Sequence, residues 1–214
     1  MPETIETIVY RLDELSEAAK ERARAWYRNC AFDDDWFEFI FDNFEHVCAI
    51  LGITLATRAV RLQGGGARRE PCIWFSGCWN QGDGACFEGE YEYAKAAPRK
   101  IRAYAPRDAE LHRIADTLQA IQCRNFYQLY GNVRHCGRSY HEGSMAISVE
   151  RDSPTYQDMT ADAEDAVSEA LRNLARWLYR QLEREFEYLT SDEQVDEAIR
   201  ANGYTFTETG RRCG

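Results

Sequence analysis

A strand–turn–strand pattern in the middle of the chain constrains the fold more than any other feature. Residues 72–93 read CIWFSGCWNQGDGACFEGEYEY. Ile73–Cys78 and Ala85–Tyr93 carry the aromatic and apolar side chains that favour strands, whereas Asn80–Gly84 between them accepts the positive φ of tight turns. The pattern therefore predicts a β-hairpin.

A second hairpin is predicted further along the chain. Its strands are Asn125–Arg134 and Tyr140–Arg151, and its turn lies at His135–Arg138. In the later strand, apolar residues alternate with small or polar ones over 144–149, which is typical of a half-buried antiparallel strand.

Helical periodicity surrounds these hairpins. Apolar residues recur every three or four positions in five segments, and Ser16 and Ser191 stand where N-caps are expected. The predicted helices are 17–29, 33–52, 108–122, 161–189 and 191–201.

Together these elements predict an α+β fold, in which an antiparallel sheet built from the two central hairpins is covered by N-terminal and C-terminal helices. Shorter strands are expected at Thr4–Tyr10, 53–62 and Tyr204–Phe206. The chain has no internal repeat and no proline-rich linker, so one domain is expected. It spans 1–214, with an N-terminal strand and helices in 1–52, a sheet-rich middle in 53–151 and C-terminal helices in 152–214.

The charge is acidic but unevenly distributed. Lys and Arg number 26 against 36 Asp and Glu, which gives a net charge of −10. Residues 1–50 carry −7, residues 51–151 carry +4 and residues 152–214 carry −7. The total argues against a general duplex-DNA binder, while the uneven distribution leaves a basic protein or an anionic ligand as possible partners.

The sequence favours a cytoplasmic protein without a membrane partner. No apolar run approaches the roughly 18 residues of a membrane span, and the N-terminus lacks the basic and then apolar pattern of a secretory signal. The eight cysteines include no CxxC pair, so free and mostly buried thiols are expected.

The second helix carries a candidate surface for binding a partner. Its acidic residues follow at spacings of three and four, which places them along one helix face. They are Asp35, Glu38, Asp42 and Glu45. Such a stripe either imitates a row of phosphates towards a basic protein or is the solvated side of an amphipathic helix.

A basic stripe is predicted on the longest helix. Arg172, Arg176, Arg180 and Arg184 follow one another at intervals of four, interleaved with glutamates. This spacing favours ion pairs within the helix over a phosphate-binding row.

The two hairpin tips carry candidate ligand-binding residues. Polar and aromatic groups are concentrated there beside glycines, which let a backbone approach a ligand closely. The candidates are Trp79, Gln81, Asp83, His135, Tyr140 and His141. The alternative is a tight structural hairpin in which Trp79 packs on the sheet.

The cysteines and histidines at the same tips are compatible with either a nucleophilic pair or a zinc site. Cys78 or Cys86 near His141 would form a Cys–His nucleophilic pair. Together with His135, Cys136 and Glu142 the same residues supply zinc-ligand types, but His135 and His141 do not have the usual spacing. No metal and no cofactor are therefore predicted.

Three stretches resemble a group of uncharacterised phage and prophage proteins. Tyr10–Ala23 resembles their opening, in which an aromatic residue precedes a Glu-Leu-Ser and a spaced Ala-Lys. Phe75–Gly89 and Gly137–Glu142 look like their central segments. Members of this group are sometimes labelled antitoxins of toxin–antitoxin stability systems. The resemblance implies a small phage-borne accessory protein that acts inside a bacterial cell, against toxins or host defences.

Three hypotheses for function follow. The leading one is an inhibitor that binds a bacterial toxin, or a nucleic-acid-targeting defence protein, through its acidic helices and without catalysis. The second is a ligand-binding protein or enzyme with its site at the hairpin tips, and the third is nucleic-acid binding through the basic middle. The sequence lacks P-loop, dinucleotide-binding, HExxH and nucleophile-elbow patterns, which favours a non-enzymatic role.

Overall fold

The computed structural model describes residues 8–32, 35–62, 64–77 and 82–213. It confirms the predicted α+β class. The helices are α1 (Glu17–Cys30), α2 (Glu38–Leu51), α3 (Ala97–Tyr104), α4 (Ala109–Arg124), α5 (Ala163–Thr190) and α6 (Asp192–Ala201). The strands are β1 (Ile53–Leu55), β2 (Thr57–Arg61), β3 (Ala67–Pro71), β4 (Ile73–Ser76), β5 (Gly84–Phe87), β6 (Gly89–Tyr91), β7 (Leu129–His135) and β8 (Met145–Arg151). None of the described helices is long and apolar enough to cross a membrane.

The strands form one four-stranded antiparallel sheet and two separate antiparallel pairs. The sheet has the order β1-β6-β7-β8, and the pairs are β2–β3 and β4–β5. β4–β5 and β7–β8 are the two predicted hairpins, with Ile73 opposite Phe87 in the first and Val133 opposite Ile147 in the second.

Two predicted strands are each split where the chain passes from one sheet to another. The strand predicted at 53–62 is interrupted at Ala56, and the one predicted at 85–93 is interrupted at Glu88. The Ala56 N–H donates to the Glu88 carbonyl at 2.9 Å, and the Ala56 carbonyl accepts from the Cys72 N–H at 2.7 Å. The backbone groups that leave one ladder are therefore paired at this crossing, which makes the change of sheet possible without unsatisfied polar groups.

β7 begins later than predicted because α4 is capped where the strand was expected to start. The Asn125 side chain donates to the Ile121 carbonyl at 2.9 Å. Phe126 and Tyr127 then adopt positive φ values of 58° and 62°. This left-handed turn cannot continue a strand, so the ladder starts at Leu129.

The longest helix, α5, packs through the apolar face that its sequence predicts. Val167, Leu171, Leu174, Leu178 and Leu182 are buried along it. α3, in contrast, is not predicted from the sequence, because only two of its eight residues are buried.

The chain divides into two compact units. The terminal unit comprises residues 1–37 and 184–214, and the central unit comprises residues 38–183. α5 is one unbroken helix whose residues belong to both. A single domain over 1–214 remains a prediction.

Helices α1 and α6 build the terminal unit around a small apolar core. As predicted, Ser16 and Ser191 cap them by accepting hydrogen bonds from backbone N–H groups three residues on. The expected strand at the C-terminus is reduced to two isolated bridges, in which Phe206 pairs with Tyr10 and with Arg212. Most of the strand predicted at Thr4–Tyr10 lies outside the described residues. The core consists of Leu12, Leu15, Ala19, Ala23, Val195, Ile199 and Phe206.

Candidate functional site

The end of the β4–β5 hairpin lies beside the segment that connects β7 to β8. A Cβ added to Gly84 would come within 2.6 Å of the Cβ of His141. The Ser76 hydroxyl donates to the Tyr140 carbonyl at 3.1 Å. Glycine at position 84 is therefore what allows the two segments to touch in the central unit.

Four of the six candidate ligand-binding residues can be placed. His135 and Tyr140 are in ring contact, with centroids 5.1 Å apart. His141 packs on Gly84, and the carboxylate of Asp83 lies against Gly77, whose added Cβ would meet it at 2.5 Å. Trp79 and Gln81 lie outside the described residues.

An aromatic group gathers on this surface, formed by Trp74, His135 and Tyr140. The Trp74 and Tyr140 rings are nearly parallel, with an interplanar angle of 9° and centroids 6.0 Å apart. The His135 ring lies 5.7 Å from Trp74, and all three side chains are half-buried. Trp74 is not among the residues singled out from the sequence, although its place beside Phe75 in a predicted strand is a signal that could have found it.

A basic ribbon, the β2–β3 pair, adjoins the aromatic group. Four exposed arginines lie on it against one carboxylate, Glu70. The guanidinium of Arg58 lies over the Trp74 ring, 5.6 Å from its centroid. The ribbon arginines are Arg58, Arg61, Arg68 and Arg69.

The side chains of the ribbon are largely solvent-exposed, and neither strand has a buried residue. Glu70 pairs with Arg68 at 2.9 Å and with Arg58 at 3.7 Å. One carboxylate neutralises only part of this charge, so the ribbon presents a locally positive surface in an acidic protein.

The described cysteines do not support a nucleophilic Cys–His pair. Cys86 is completely buried, and burial raises the pKa of its thiol to about 11, although a hydrogen bond with Ser144 opposes this. A buried thiol with a raised pKa lacks the character of an activated nucleophile, so Cys86 does not favour a nucleophilic pair with His141. Cys78 lies outside the described residues.

The expected burial of the thiols is also only partly right. All seven described cysteines are free, but only Cys48, Cys72 and Cys86 are buried.

His141 and Glu142 have structural partners. The Nδ1 atom of His141 accepts from the Gly143 N–H at 3.0 Å. Glu142 accepts from Arg176 at 3.0 Å, and although burial raises the pKa of this carboxyl, the hydrogen bond from Arg176 holds it below its ordinary value. Over the described ranges, no three His, Cys, Asp or Glu side chains are grouped so as to hold a metal ion.

Two arginines of the stripe on α5 have partners outside the helix. Arg176 pairs with Glu142 as well as with Glu169 on its own helix. Arg180 pairs with Glu110 of α4. The expectation of ion pairs within the helix is therefore confirmed for Arg176 with Glu169 and wrong for Arg180, whose partner lies on α4. Through Glu142 and Glu110 both arginines tie α5 to neighbouring segments of the central unit.

The acidic stripe is shorter than predicted. α2 begins at Glu38, and Asp35 precedes it in a turn that belongs to the terminal unit, so Asp35 is not part of the helix face. Asp33 and Asp34, where the helix start was expected, lie outside the described residues. The remaining acidic row is exposed and consists of Glu38, Asp42 and Glu45.

Two features distinguish the acidic row from an ordinary solvated helix face. Phe39, next to Glu38, is 54% exposed. Partial burial raises the pKa of Glu45, and the neighbouring charge of Asp42 adds to this rise. Aromatic residues are enriched at protein-binding surfaces, so Phe39 is the residue of this face that favours such a role.

The comparison with known families adds one assignment. The profile of a domain of unknown function, DUF8835, matches residues 36–192. The chain belongs to this family. The DUF8835 match contains the ribbon, the aromatic group and the acidic row, whereas Asp35 lies outside it. No curated protein and no solved structure gave a match.

Proposed function

We propose that this protein binds single-stranded nucleic acid through the β2–β3 ribbon and the adjoining aromatic group. The observation that carries the proposal is the position of Arg58, which belongs to the ribbon and lies 5.6 Å from the Trp74 ring centroid. Guanidinium groups, which are suited to phosphates, thus adjoin aromatic rings, which are suited to stacking on bases. That combination is typical of proteins that hold unpaired strands.

The chemistry assigns separate roles to the two parts of the surface. The four exposed ribbon arginines would pair with phosphates, for which the guanidinium has a well-matched geometry. Trp74 and Tyr140 would contact bases through their ring surfaces. His135 and Tyr140, candidates for a ligand site at the hairpin tips, become part of this same surface.

The net charge favours a single strand over a duplex as the ligand. A net charge of −10 opposes the close approach of a dense double row of phosphates. A flexible single strand can follow the ribbon locally and expose its bases to the aromatic group. Duplex binding is therefore expected to be weaker.

The test is fluorescence anisotropy with labelled DNA and RNA strands of about 16 nucleotides and with the matching duplex. The double variant Arg61→Gln/Arg68→Gln is expected to weaken single-strand binding about tenfold or more, and to reduce the dependence of log K on log salt by about 1.4. Tyr140→Leu is expected to weaken it about fivefold or more through lost stacking.

The control variant is Arg99→Gln/Arg107→Gln. It makes the same change in net charge at exposed arginines outside the ribbon and should leave binding nearly unchanged. The proposal fails if no single strand binds saturably at low salt, or if both double variants weaken binding equally.

The acidic row and Phe39 favour a second candidate function. We propose that this surface of α2 binds a basic bacterial protein and inhibits it without catalysis, in a phage-type accessory role. The support is the exposed Phe39 beside Glu38, Asp42 and Glu45, together with the resemblance to phage proteins.

Capture from bacterial lysate tests this second function. A protein retained by the native chain should be lost with Glu38→Lys/Asp42→Lys/Glu45→Lys and weakened by Phe39→Ala. The matched control reverses three exposed carboxylates elsewhere in the central unit, Glu150, Asp152 and Asp158. Equal capture by both triple variants would exclude the α2 surface as the binding site.

A further inference from the structure

A cleft in the terminal unit is lined by aromatic rings and one carboxylate. Its volume is about 310 Å³. Tyr27 contributes from α1, Phe32 and Trp36 from the segment after it, and Leu189 from the end of α5. Gln194 and Glu197 contribute from α6.

The rings of this aromatic cleft are supported by further aromatic side chains. Phe186 contacts Phe32 at 5.8 Å and Trp36 at 5.4 Å between ring centroids. Tyr27 contacts Tyr204 at 6.4 Å. Three of the lining side chains are thus aromatic and packed against neighbours, while each remains only half-buried.

The charge of the surroundings favours a cation in the cleft. The terminal unit has 16 acidic residues against 9 basic ones. On α6, Asp192 and Asp196 are paired with arginines of α1. Glu197, which lines the cleft, makes no ion pair with any residue in the described ranges.

We propose that the aromatic cleft binds a small organic cation with an alkylated ammonium group. The negative faces of aromatic rings attract such a cation, and its methyl groups pack well against them. Glu197 supplies the compensating charge at the exposed side. A volume of about 310 Å³ lies at the small end of ligand sites, which suits a compact cation. This site is independent of the nucleic-acid surface.

The experiment compares choline with its neutral carbon isostere, 3,3-dimethylbutan-1-ol, by following the indole N–H signal of Trp36 in NMR titrations. Choline is expected to shift this signal saturably and to bind about three- to thirtyfold tighter than the alcohol. A peptide with trimethyllysine and its unmodified counterpart form a second arm. Tighter binding of the methylated peptide than of choline would identify a protein side chain as the source of the ammonium group.

Variants separate charge recognition from apolar packing. Glu197→Gln should weaken choline binding about threefold or more and leave binding of the alcohol unchanged. Glu193→Gln, at an exposed carboxylate of the same helix outside the cleft, should change neither. The proposal is overturned if the alcohol binds as tightly as choline, or if neither choline nor the methylated peptide shifts the Trp36 signal saturably.

Discussion

Gly84 shows how a single residue holds the candidate site together. Its missing side chain leaves room for His141, since an added Cβ would stand 2.6 Å from the His141 Cβ and 2.9 Å from its Cα. Because the second contact is with backbone, Gly84→Ala must push the two segments apart. We expect it to lower the free energy of unfolding by about 1–3 kcal/mol, measured by urea denaturation.

Gly131→Ala is the matched control for this prediction. An added Cβ there meets its nearest neighbour, a Tyr91 side-chain atom, at an ordinary 3.5 Å. We expect a smaller change in the free energy of unfolding. If both variants lose the same free energy of unfolding, the close contact with His141 is not the reason why position 84 requires glycine.

At the residue scale, local chemistry could be predicted and long-range neighbours could not. Ser16 and Ser191 were identifiable as caps because an N-cap depends on residues only three positions away. The contact of Arg58 with Trp74 depends on the crossing at Ala56, which joins segments from different sheets.

At the scale of elements, Asp108 combines a local interaction within α4 with a long-range hydrogen bond to α5. Asp108 caps α4 by accepting from the Leu111 N–H at 2.9 Å, and its other oxygen accepts from Trp177 Nε1 at 2.7 Å. Asp108→Ala removes the cap and leaves the N–H of a side chain only 4% exposed without this partner. We expect a loss of about 2–4 kcal/mol in the free energy of unfolding.

A double-mutant cycle with Trp177→Phe isolates the bond between the helices. The cycle should give a coupling energy above about 0.5 kcal/mol, since both single variants remove the same hydrogen bond. A coupling energy near zero would show that Asp108 acts only as the cap of α4.

An ion pair between α1 and α6 predicts how the terminal unit responds to acid. Arg24 donates to both oxygens of Asp196, at 2.7 and 2.8 Å, and the two side chains are 12% and 15% exposed. The hydrogen bond from Arg24 lowers the pKa of the Asp196 carboxyl below its ordinary value. The stabilisation is therefore complete above the ordinary pKa and is lost as pH falls through the lowered one.

Asp196→Asn should thus cost about 1.5–3 kcal/mol of unfolding free energy at neutral pH, and less as the pH falls below about 4. Chemical denaturation at a series of pH values measures both effects. Glu193→Gln, on the same helix and exposed, should follow the native pH dependence. If the difference in unfolding free energy between Asp196→Asn and the native chain stays constant down to acid pH, the ion pair with Arg24 is not what stabilises the unit.

The element scale also shows why strand boundaries were harder to predict than helix faces. The apolar face of α5 follows from its own 3.6-residue periodicity, and its buried leucines agree with it. The splits at Ala56 and Glu88 do not follow from periodicity, because each exists to exchange hydrogen bonds with a segment distant in the sequence. The sequence does not predict α3 either, because only Ala97 and Ile101 are buried along it and two residues do not establish a helical periodicity.

At the scale of the whole molecule, the acidic ends and the basic middle of the sequence predict two surfaces of opposite charge. The structure contains both an acidic and a basic surface, but the residues that form them differ from those predicted. Asp35 leaves the acidic row because α2 starts at Glu38, and the ribbon arginines gain an aromatic neighbour in Trp74. Sequence alone could count these charges but could not state which of them share a surface.

Helix α5 has residues in both compact units, which bears on whether the two units unfold together. α5 is a single helix of 28 residues that supplies Leu182 to the central unit and Leu189 to the terminal unit. Because a helix propagates cooperatively along its length, we expect one unfolding transition for the entire chain.

Asp196→Asn and Asp108→Ala test this expectation, because they lie in different units. Each should lower the midpoint for both units together when hydrogen exchange is followed by mass spectrometry through a denaturant series. Calorimetric and van 't Hoff enthalpies should then agree. If each variant instead destabilises only peptides of its own unit, α5 does not couple the two, and the chain behaves as two folding units joined by a helix.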